Sequence, residues 1–534
     1  MNQVEVKRQQ IQLCSYVLGF ISIWILGKSV GDNGIAYLAM ALQGFYILWC
    51  ITGKYVAESL GRMLRSKSIR GQYKNGAKMR RNIMLQQCVC GFLGSIVFLA
   101  CTGLLSERLF RMPYSRFLML LLAPVIFIKT VSAVLTGYFQ GNGSELPTAV
   151  SAILRQILFL GFAILFGNML KEYGQKVSAL LKQDAFTSMY GGVGIVLAIL
   201  LTELLLTLFL FLVYKGTNRA PKANNEREGM KTTDSFAGHV RLLYRNMGSK
   251  ILLGLLESLP LWMGLIFFQK SVTDNIASAD AYGVYFGKYL MFCGLAFVLN
   301  AICITAVNAK VSVSVRKDEM RYAKGIFQSG MRIVMIHSLF WTVFTAIMAK
   351  QLAGIFEGSQ AGLEAMFSFG SVLIVLVSLA FFFSRLLMQL GMDFLVCACA
   401  AVGDVVFVIA AVLMLNVGAL GIMALVYAGI LGMGIYVAST GWLACMQLRT
   451  GIDGLRTLAI PAGCACLMGL LCLLLGKIFT PHLGNVVTVV VCLILGGLLY
   501  WILLLLLRCF REQELEVIPG GKIIWKLGQF LHFL

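Results

Sequence analysis

YGGVGIVLAILLTELLLTLFLFLV, residues 190–213, carries a single charged side chain, Glu203, in a run long enough to cross a bilayer. About 20 consecutive apolar residues make a spanning helix, because lipid leaves no backbone polar group unpaired except at great cost. Working outward, thirteen further runs of this kind occupy residues 10–30, 35–60, 82–104, 115–137, 147–167, 251–269, 281–309, 327–349, 366–388, 394–415, 419–446, 458–477 and 485–507. With 59% hydrophobic and 13% charged residues and a mean hydropathy of +0.83, the chain lacks the polar surface of a water-soluble protein. The predicted fold is all-α: a polytopic membrane protein of fourteen transmembrane helices.

A net charge of +21 would suit nucleic acid if it were clustered on one domain, but it alternates from loop to loop. Arg62, Arg65, Lys67, Arg70, Lys74, Lys78, Arg80 and Arg81 lie between spans 2 and 3. Lys215 to Lys250 holds a second basic group, and Lys310, Arg316, Lys317, Arg321 and Lys324 a third. The intervening loops offer Lys171, Lys176 and Lys182, or Lys270. The positive-inside rule therefore puts both termini in the cytoplasm of a multi-pass cell-membrane protein, with no nucleic-acid partner expected and membrane lipids as neighbours. Lys7 and Arg8 precede span 1, and no small-residue cleavage site follows before Lys28, so this span is expected to remain. The 15 cysteines sit almost entirely inside spans. Cys88/Cys90, Cys397/Cys399 and Cys464/Cys466 are spaced i, i+2, which points them to different faces of a helix, so they read as packing residues and not as metal ligands.

The long polar segment 215–250 separates an N-lobe (1–214, spans 1–6) from a C-lobe (251–447, spans 7–12). Its first half is linker-like. From Asp234 or Ser235 as a cap, Phe236, Val240, Leu243 and Tyr244 share a face with Arg241 and Arg245 beside them, which predicts an interfacial amphipathic helix feeding span 7. Residues 448–508 form spans 13–14, and 509–534 an amphipathic cytoplasmic tail with Ile523, Trp525, Leu527 and Phe530. A weak repeat crosses the divide. Ile51-Thr52 precedes a basic loop with Tyr73-Lys74-Asn75-Gly76-Ala77-Lys78, and Ile304-Thr305 precedes one with Arg321-Tyr322-Ala323-Lys324. Two parallel six-helix lobes related by a pseudo-two-fold along the membrane normal follow from it, with a substrate site between them, as in many transporters.

An ionisable side chain near the bilayer centre costs roughly 2.5–3.5 kcal/mol on insertion scales, so each one inside a span needs a reason. Lys129 and Arg155 sit deep in adjacent spans with no acid one turn away, Lys54 lies in span 2, and Lys288 in span 8. Facing a central cavity, these four would bind an anionic substrate, phosphate above all. Glu58 is four residues from Lys54, so the two can neutralise each other. Glu257 lies about one turn before Pro260, where the helix ladder is broken, so a proton or cation there would couple to movement. Glu203 joins Glu58, Glu257 and Pro260 as a coupling or gating candidate, with a proton or a sodium ion as the coupling ion. For Glu257, a carboxylate paired with a lysine across the bundle is the competing reading. Phosphate-binding loop, nucleophile elbow and metal-ligand cluster are all missing from the sequence, so neither catalysis nor a cofactor is expected.

At the turn between spans 4 and 5 the chain reads GYFQGNGSELPTAVSAILRQ, Gly137 to Gln156. This resembles the GYFQG…PTA signature of the polysaccharide-biosynthesis and stage V sporulation protein B-like flippases, within the multidrug/oligosaccharidyl-lipid/polysaccharide (MOP) exporter superfamily. Gly31-Asp32-Asn33-Gly34 and the basic loop ending Gly76-Ala77-Lys78 look like that family's first turn and first intracellular loop. The resemblance implies two six-helix lobes working by alternating access, with helices 13–14 lining a groove for a polyprenyl tail. It also implies a lipid-linked glycan on polyprenyl pyrophosphate as substrate, in the bacterial cell membrane. Arg155 stands where family members usually carry an acid, and Gly53-Lys54 replace the proline common in helix 2.

Two other classes fit the hydrophobicity. A multidrug or organic-cation antiporter of the same superfamily typically has twelve helices and an acidic cavity, which Lys129, Arg155 and the extra spans oppose. A membrane-embedded glycan polymerase needs a large outer loop with catalytic arginine or histidine, and the longest here, 168–189, has neither.

Overall fold

The computed structural model describes residue 18 and residues 30–144, 146–217, 234–272, 275–356, 362–418, 420–451, 453–507 and 509. The expected span 1, Lys28, the linker half of 215–250 and the C-terminal tail lie outside the described residues, except for Leu18, Val30, Cys509 and the ends of the linker segment. The chain divides into two compact units, Met1–Gly287 and Lys288–Leu534.

In the first unit α1 covers residues 30–52 and α2 Val56–Ile69. They are followed by α3 (Tyr73–Gly103), α4 (Ser115–Gly141), α5 (Leu146–Leu181), α6 (Ala185–Thr217), α7 (Phe236–Ser271) and α8 (Asn275–Val284). A π turn, Leu104–Leu109, ends α3. The motif GYFQG acquires a packing reason here. A Cβ on Gly137 would lie 2.9 Å from the Ala57 carbonyl oxygen, and one on Gly141 would lie 2.6 Å from Leu64 Cβ. The two glycines therefore let α4 and α2 touch backbone to backbone, as small residues do between membrane helices. Tyr138 and Phe139 between them are buried with Leu135 and Leu210, and the Arg80 guanidinium sits 4.8 Å from the Tyr138 ring.

The expected interfacial helix and span 7 form one continuous helix, α7, of 36 residues. Ser235 caps it, its Oγ accepting from the Gly238 N–H at 3.1 Å. Leu243 and Met247 are fully buried in a cluster with Met79, Ile83 and Leu60, so this apolar face is covered by α2 and α3 and not by lipid. That packing groups α7 with the first six spans, whereas the polar segment 215–250 had suggested a boundary before span 7. The unit boundary falls instead within a π turn, Tyr285–Leu290.

The second unit holds α9 (Met291–Arg316), α10 (Met320–Ile347), α11 (Ala349–Ile355), α12 (Leu363–Gly370), α13 (Val372–Gln389), α14 (Asp393–Asn416), α15 (Met423–Leu448) and α16 (Ile460–Leu506). Buried amides stitch α9 to α13: Asn300 donates to Ser378 Oγ at 3.0 Å and Asn308 to the Phe382 carbonyl at 3.0 Å. Expected spans 13 and 14 are the two arms of α16, which breaks at Gly484 (φ 74, ψ 172), a conformation open to glycine and strained for other residues. Tyr500 on the second arm donates to the Ile336 carbonyl of α10 at 2.8 Å. Among the described residues, twelve helical stretches are long and apolar enough to span a membrane, α16 with its preceding turn counting as one. The all-helical, multi-pass fold is as expected.

Candidate functional site: an ion triad on α4, α5 and α6

Lys129 projects from α4, five residues beyond Pro124 and next to Thr130. Thr130 is fixed by close packing, since a Cβ on Gly53 would come within 2.9 Å of its Oγ1 and one on Gly91 within 3.1 Å of its Cβ. With that neighbour wedged against α3 and the α1–α2 junction, Lys129 turns toward α6. Its Nζ lies 3.2 Å from Glu203 Oε1. Arg155 of α5 approaches the same carboxylate from the other side, Nε 3.1 Å from Oε1 and Nη2 3.3 Å from Oε2. Three helices that follow one another in the chain thus meet at one carboxylate.

The absence of an acid on their own helices left Lys129 and Arg155 as isolated cations in the sequence. The structure corrects this: both are paired with Glu203, 74 and 48 residues away. Two cations face one carboxylate, so the triad keeps one positive charge in excess. The Glu203 side chain is 5% exposed, against 20% for Lys129 and 39% for Arg155, so the anion is the most enclosed of the three. Each contact is worth about 4 kcal/mol at an effective dielectric of about 20, while desolvation costs several kcal/mol per ion. These terms nearly cancel, so stability alone does not account for three charges in an apolar bundle.

An aromatic patch on α1, which the sequence reading passed over, backs the triad. The Lys129 ammonium sits 4.4 Å from the Trp49 ring centroid and 6.0 Å from Phe45. Phe45 stacks on Trp49 at 6.1 Å, and Tyr46 meets Trp49 edge-on at 6.2 Å. On the far side of Tyr46 is Lys54, which donates to the Tyr46 hydroxyl and lies 4.3 Å from that ring and 5.0 Å from Tyr55. Lys54 occupies a break between α1 and α2, where both Gly53 and Lys54 amides donate to the Trp49 carbonyl. The signal was present in the sequence as Phe45-Tyr46-Ile47-Leu48-Trp49, whose aromatic residues fall on one side of a helix just ahead of a lysine.

The remaining candidates lie elsewhere. Glu58 is held by Arg62 at 3.1 Å and by Lys250 of α7 at 2.6 Å, which ties α2 to α7 in addition to any role opposite Lys54. Glu257 is exposed on α7, and the helix runs on through Pro260. Lys288 is buried in the π turn that opens the second unit.

A second polar cluster, at the N-terminal end of α7, lies outside the predicted set. Asp234 Oδ2 accepts from Lys67 at 2.9 Å and from Asn75 at 3.0 Å. These hydrogen bonds, then the charges of Lys67 and His239, hold its carboxyl below the ordinary aspartate range. His239, fully buried, has Asn82 Nδ2 at 3.0 Å from Nδ1 and Asn75 Oδ1 at 3.3 Å from Nε2.

No family model matches the chain. It is 20% identical to stage V sporulation protein B of Bacillus subtilis over 352 residues, which spans 64% of each chain. An inward-facing multidrug resistance MATE family transporter of the MOP superfamily superposes with a TM-score of 0.60 at 14% identity, covering 83% of this chain and 98% of that one. A MOP superfamily transporter from Pyrococcus furiosus, described as having a binding pocket of reverse polarity that suggests a different function, gives 0.57 at 12% identity, covering 83% and 95%. These likenesses show the fold, and they agree with the resemblance read from the Gly137–Gln156 motif.

Proposed function

We propose that this chain, folded as the MOP-superfamily transporters are and similar in sequence to stage V sporulation protein B, is a flippase. It moves an anionic lipid-linked oligosaccharide or polysaccharide precursor across the cell membrane by alternating access, with both termini in the cytoplasm. One observation carries the reading: the Lys129–Glu203–Arg155 triad keeps a net positive charge inside the bundle, with its carboxylate more enclosed than its cations. A phosphate or pyrophosphate headgroup matches this, because guanidinium and ammonium N–H groups beyond those spent on Glu203 remain to bind it. Lys54, held on Tyr46 and Tyr55 across the aromatic patch, stands apart from the triad as a contact for the remainder of the substrate, and Glu257 beside Pro260 is the place for coupling to motion. The pocket of reverse polarity described for the Pyrococcus furiosus transporter supports the view that this fold serves more than organic cations.

The test is native mass spectrometry of the purified protein with a polyprenyl pyrophosphate lipid. Selective retention that falls about tenfold or more in Lys129→Gln/Arg155→Gln, with the fold intact, is expected. Equal retention by that double variant removes the headgroup role. Multidrug or organic-cation antiport is the second reading, favoured by the buried Glu203 carboxylate, whose partner Lys129 lies over the Trp49 ring. Retention of an organic cation in place of the lipid would establish it.

A further inference from the structure

The charge count of the triad limits what it can neutralise, and this deepens the headgroup reading, on which it rests. Glu203 has both oxygens engaged, Oε1 by Lys129 and Arg155 and Oε2 by Arg155 alone. Helix α6 carries no other charged residue from Ala185 to Tyr214. Among the described residues, the charges paired with Glu203 from the packed helices are Lys129 of α4 and Arg155 of α5, while α1 sets Trp49 and Phe45 against Lys129, with Lys54 held on Tyr46 and Tyr55 beyond them.

A ligand that reaches Lys129 and Arg155 shares these two cations with the carboxylate. A monoanionic phosphodiester completes neutrality while Glu203 stays ionised. A dianionic pyrophosphate diester brings the total to three negative charges against two positive, an uncompensated charge in an apolar bundle. A proton from bulk water on Glu203 restores the balance and returns Lys129 and Arg155 wholly to the ligand. We infer that Glu203 takes up a proton when a dianionic pyrophosphate-diester headgroup binds Lys129 and Arg155, and that a monoanionic phosphodiester binds without this uptake. By linkage, protonation of Glu203 raises affinity for the dianion by the same factor as the dianion favours protonation.

The experiment is titration calorimetry on the full-length protein in lipid nanodiscs, in two buffers of different ionisation enthalpy. The probes are a farnesyl diphosphate sugar diester and the matching farnesyl monophosphate sugar diester, neither of which has a phosphate group that titrates near neutral pH. The diphosphate probe should take up about one proton on binding, and where Glu203 titrates its affinity should tighten by about tenfold per pH unit. The monophosphate probe should show neither effect. In Glu203→Gln both probes should bind with no proton uptake and no pH dependence. Binding of the diphosphate probe without uptake in the wild type overturns the inference, even where the variant fails to fold. Uptake that persists in Glu203→Gln also overturns it, since another group then titrates. Binding of neither probe defeats the headgroup reading itself and this inference with it.

Discussion

Arg155 donates one hydrogen bond to Glu203, from Nη2 to Oε2 at 3.3 Å, and its Nε lies 3.1 Å from Oε1 as an ion-pair contact without hydrogen-bond geometry, while Lys129 meets Oε1 at 3.2 Å. The planar guanidinium holds its N–H groups in fixed directions, which an ammonium does not, so the two cations are not equivalent partners.

Arg155→Lys should therefore keep the charge and lose the directed Nη2 hydrogen bond. Because Arg155 is 39% exposed, the cost belongs in the range of solvent-screened pairs, about 0.5–1 kcal/mol. Thermal melting in detergent should show the loss, with Arg155→Gln lower still. A wild-type melting point for Arg155→Lys would mean that the guanidinium geometry contributes nothing.

Gly137→Val tests the α4–α2 contact. A Cβ there would stand 2.9 Å from the Ala57 carbonyl oxygen and 3.2 Å from Leu60 Cβ, so the helices must separate, at a cost of about 1–3 kcal/mol or more. Gly161→Ala on α5 is the control, since nothing lies within 4 Å of its added methyl, and it should gain about 0.5–1 kcal/mol in helix propensity. Fluorescence-detected size-exclusion after heating separates the two. Equal loss in both would argue against close α4–α2 packing.

Asp234 predicts an acid limb. Hydrogen bonds from Lys67 and Asn75 depress its carboxyl in the folded state, so its contribution is present above the unfolded aspartate value and is lost as pH falls through the folded one. Melting temperature should drop below a pH of about 4 with a part of the slope that Asp234→Asn removes. An identical pH profile for that variant would show that the clasp on Lys67 does not matter to stability.

Ser235→Ala removes the N-cap of α7, where Oγ accepts from the Gly238 amide. The expected cost is about 1 kcal/mol, felt locally as faster hydrogen exchange over the first turn, Phe236–His239. Unchanged exchange there would show that the turn is held by the Asp234 and His239 contacts alone.

The membrane-spanning runs were legible because insertion in lipid is decided residue by residue, and 190–213 satisfies it with one charge. The glycines of GYFQG were legible as a motif at the turn between spans 4 and 5, with no packing role visible in the sequence. Gly137 and Gly141 serve a helix–helix contact with residues 57–64, which no local pattern encodes. Glu58 was assigned to Lys54 on helical spacing, and the structure adds Lys250, nearly two hundred residues on. The face of Leu243 and Tyr244 was read as lipid-seeking because amphipathicity cannot tell a lipid surface from α2 and α3. The aromatic patch was overlooked because Phe45, Tyr46 and Trp49 look like ordinary span residues until Lys129 arrives from α4.

By itself, then, the sequence determined the solvent of this protein, the number and placement of most of its helices, and which charges stand inside the bilayer. Those properties depend on the hydrophobicity of contiguous residues. Only the tertiary structure decided that Lys129, Arg155 and Glu203 share one site with a net positive charge. Ion pairing depends on distances of about 3 Å between side chains from different helices, and those distances exist only after α4, α5 and α6 have packed.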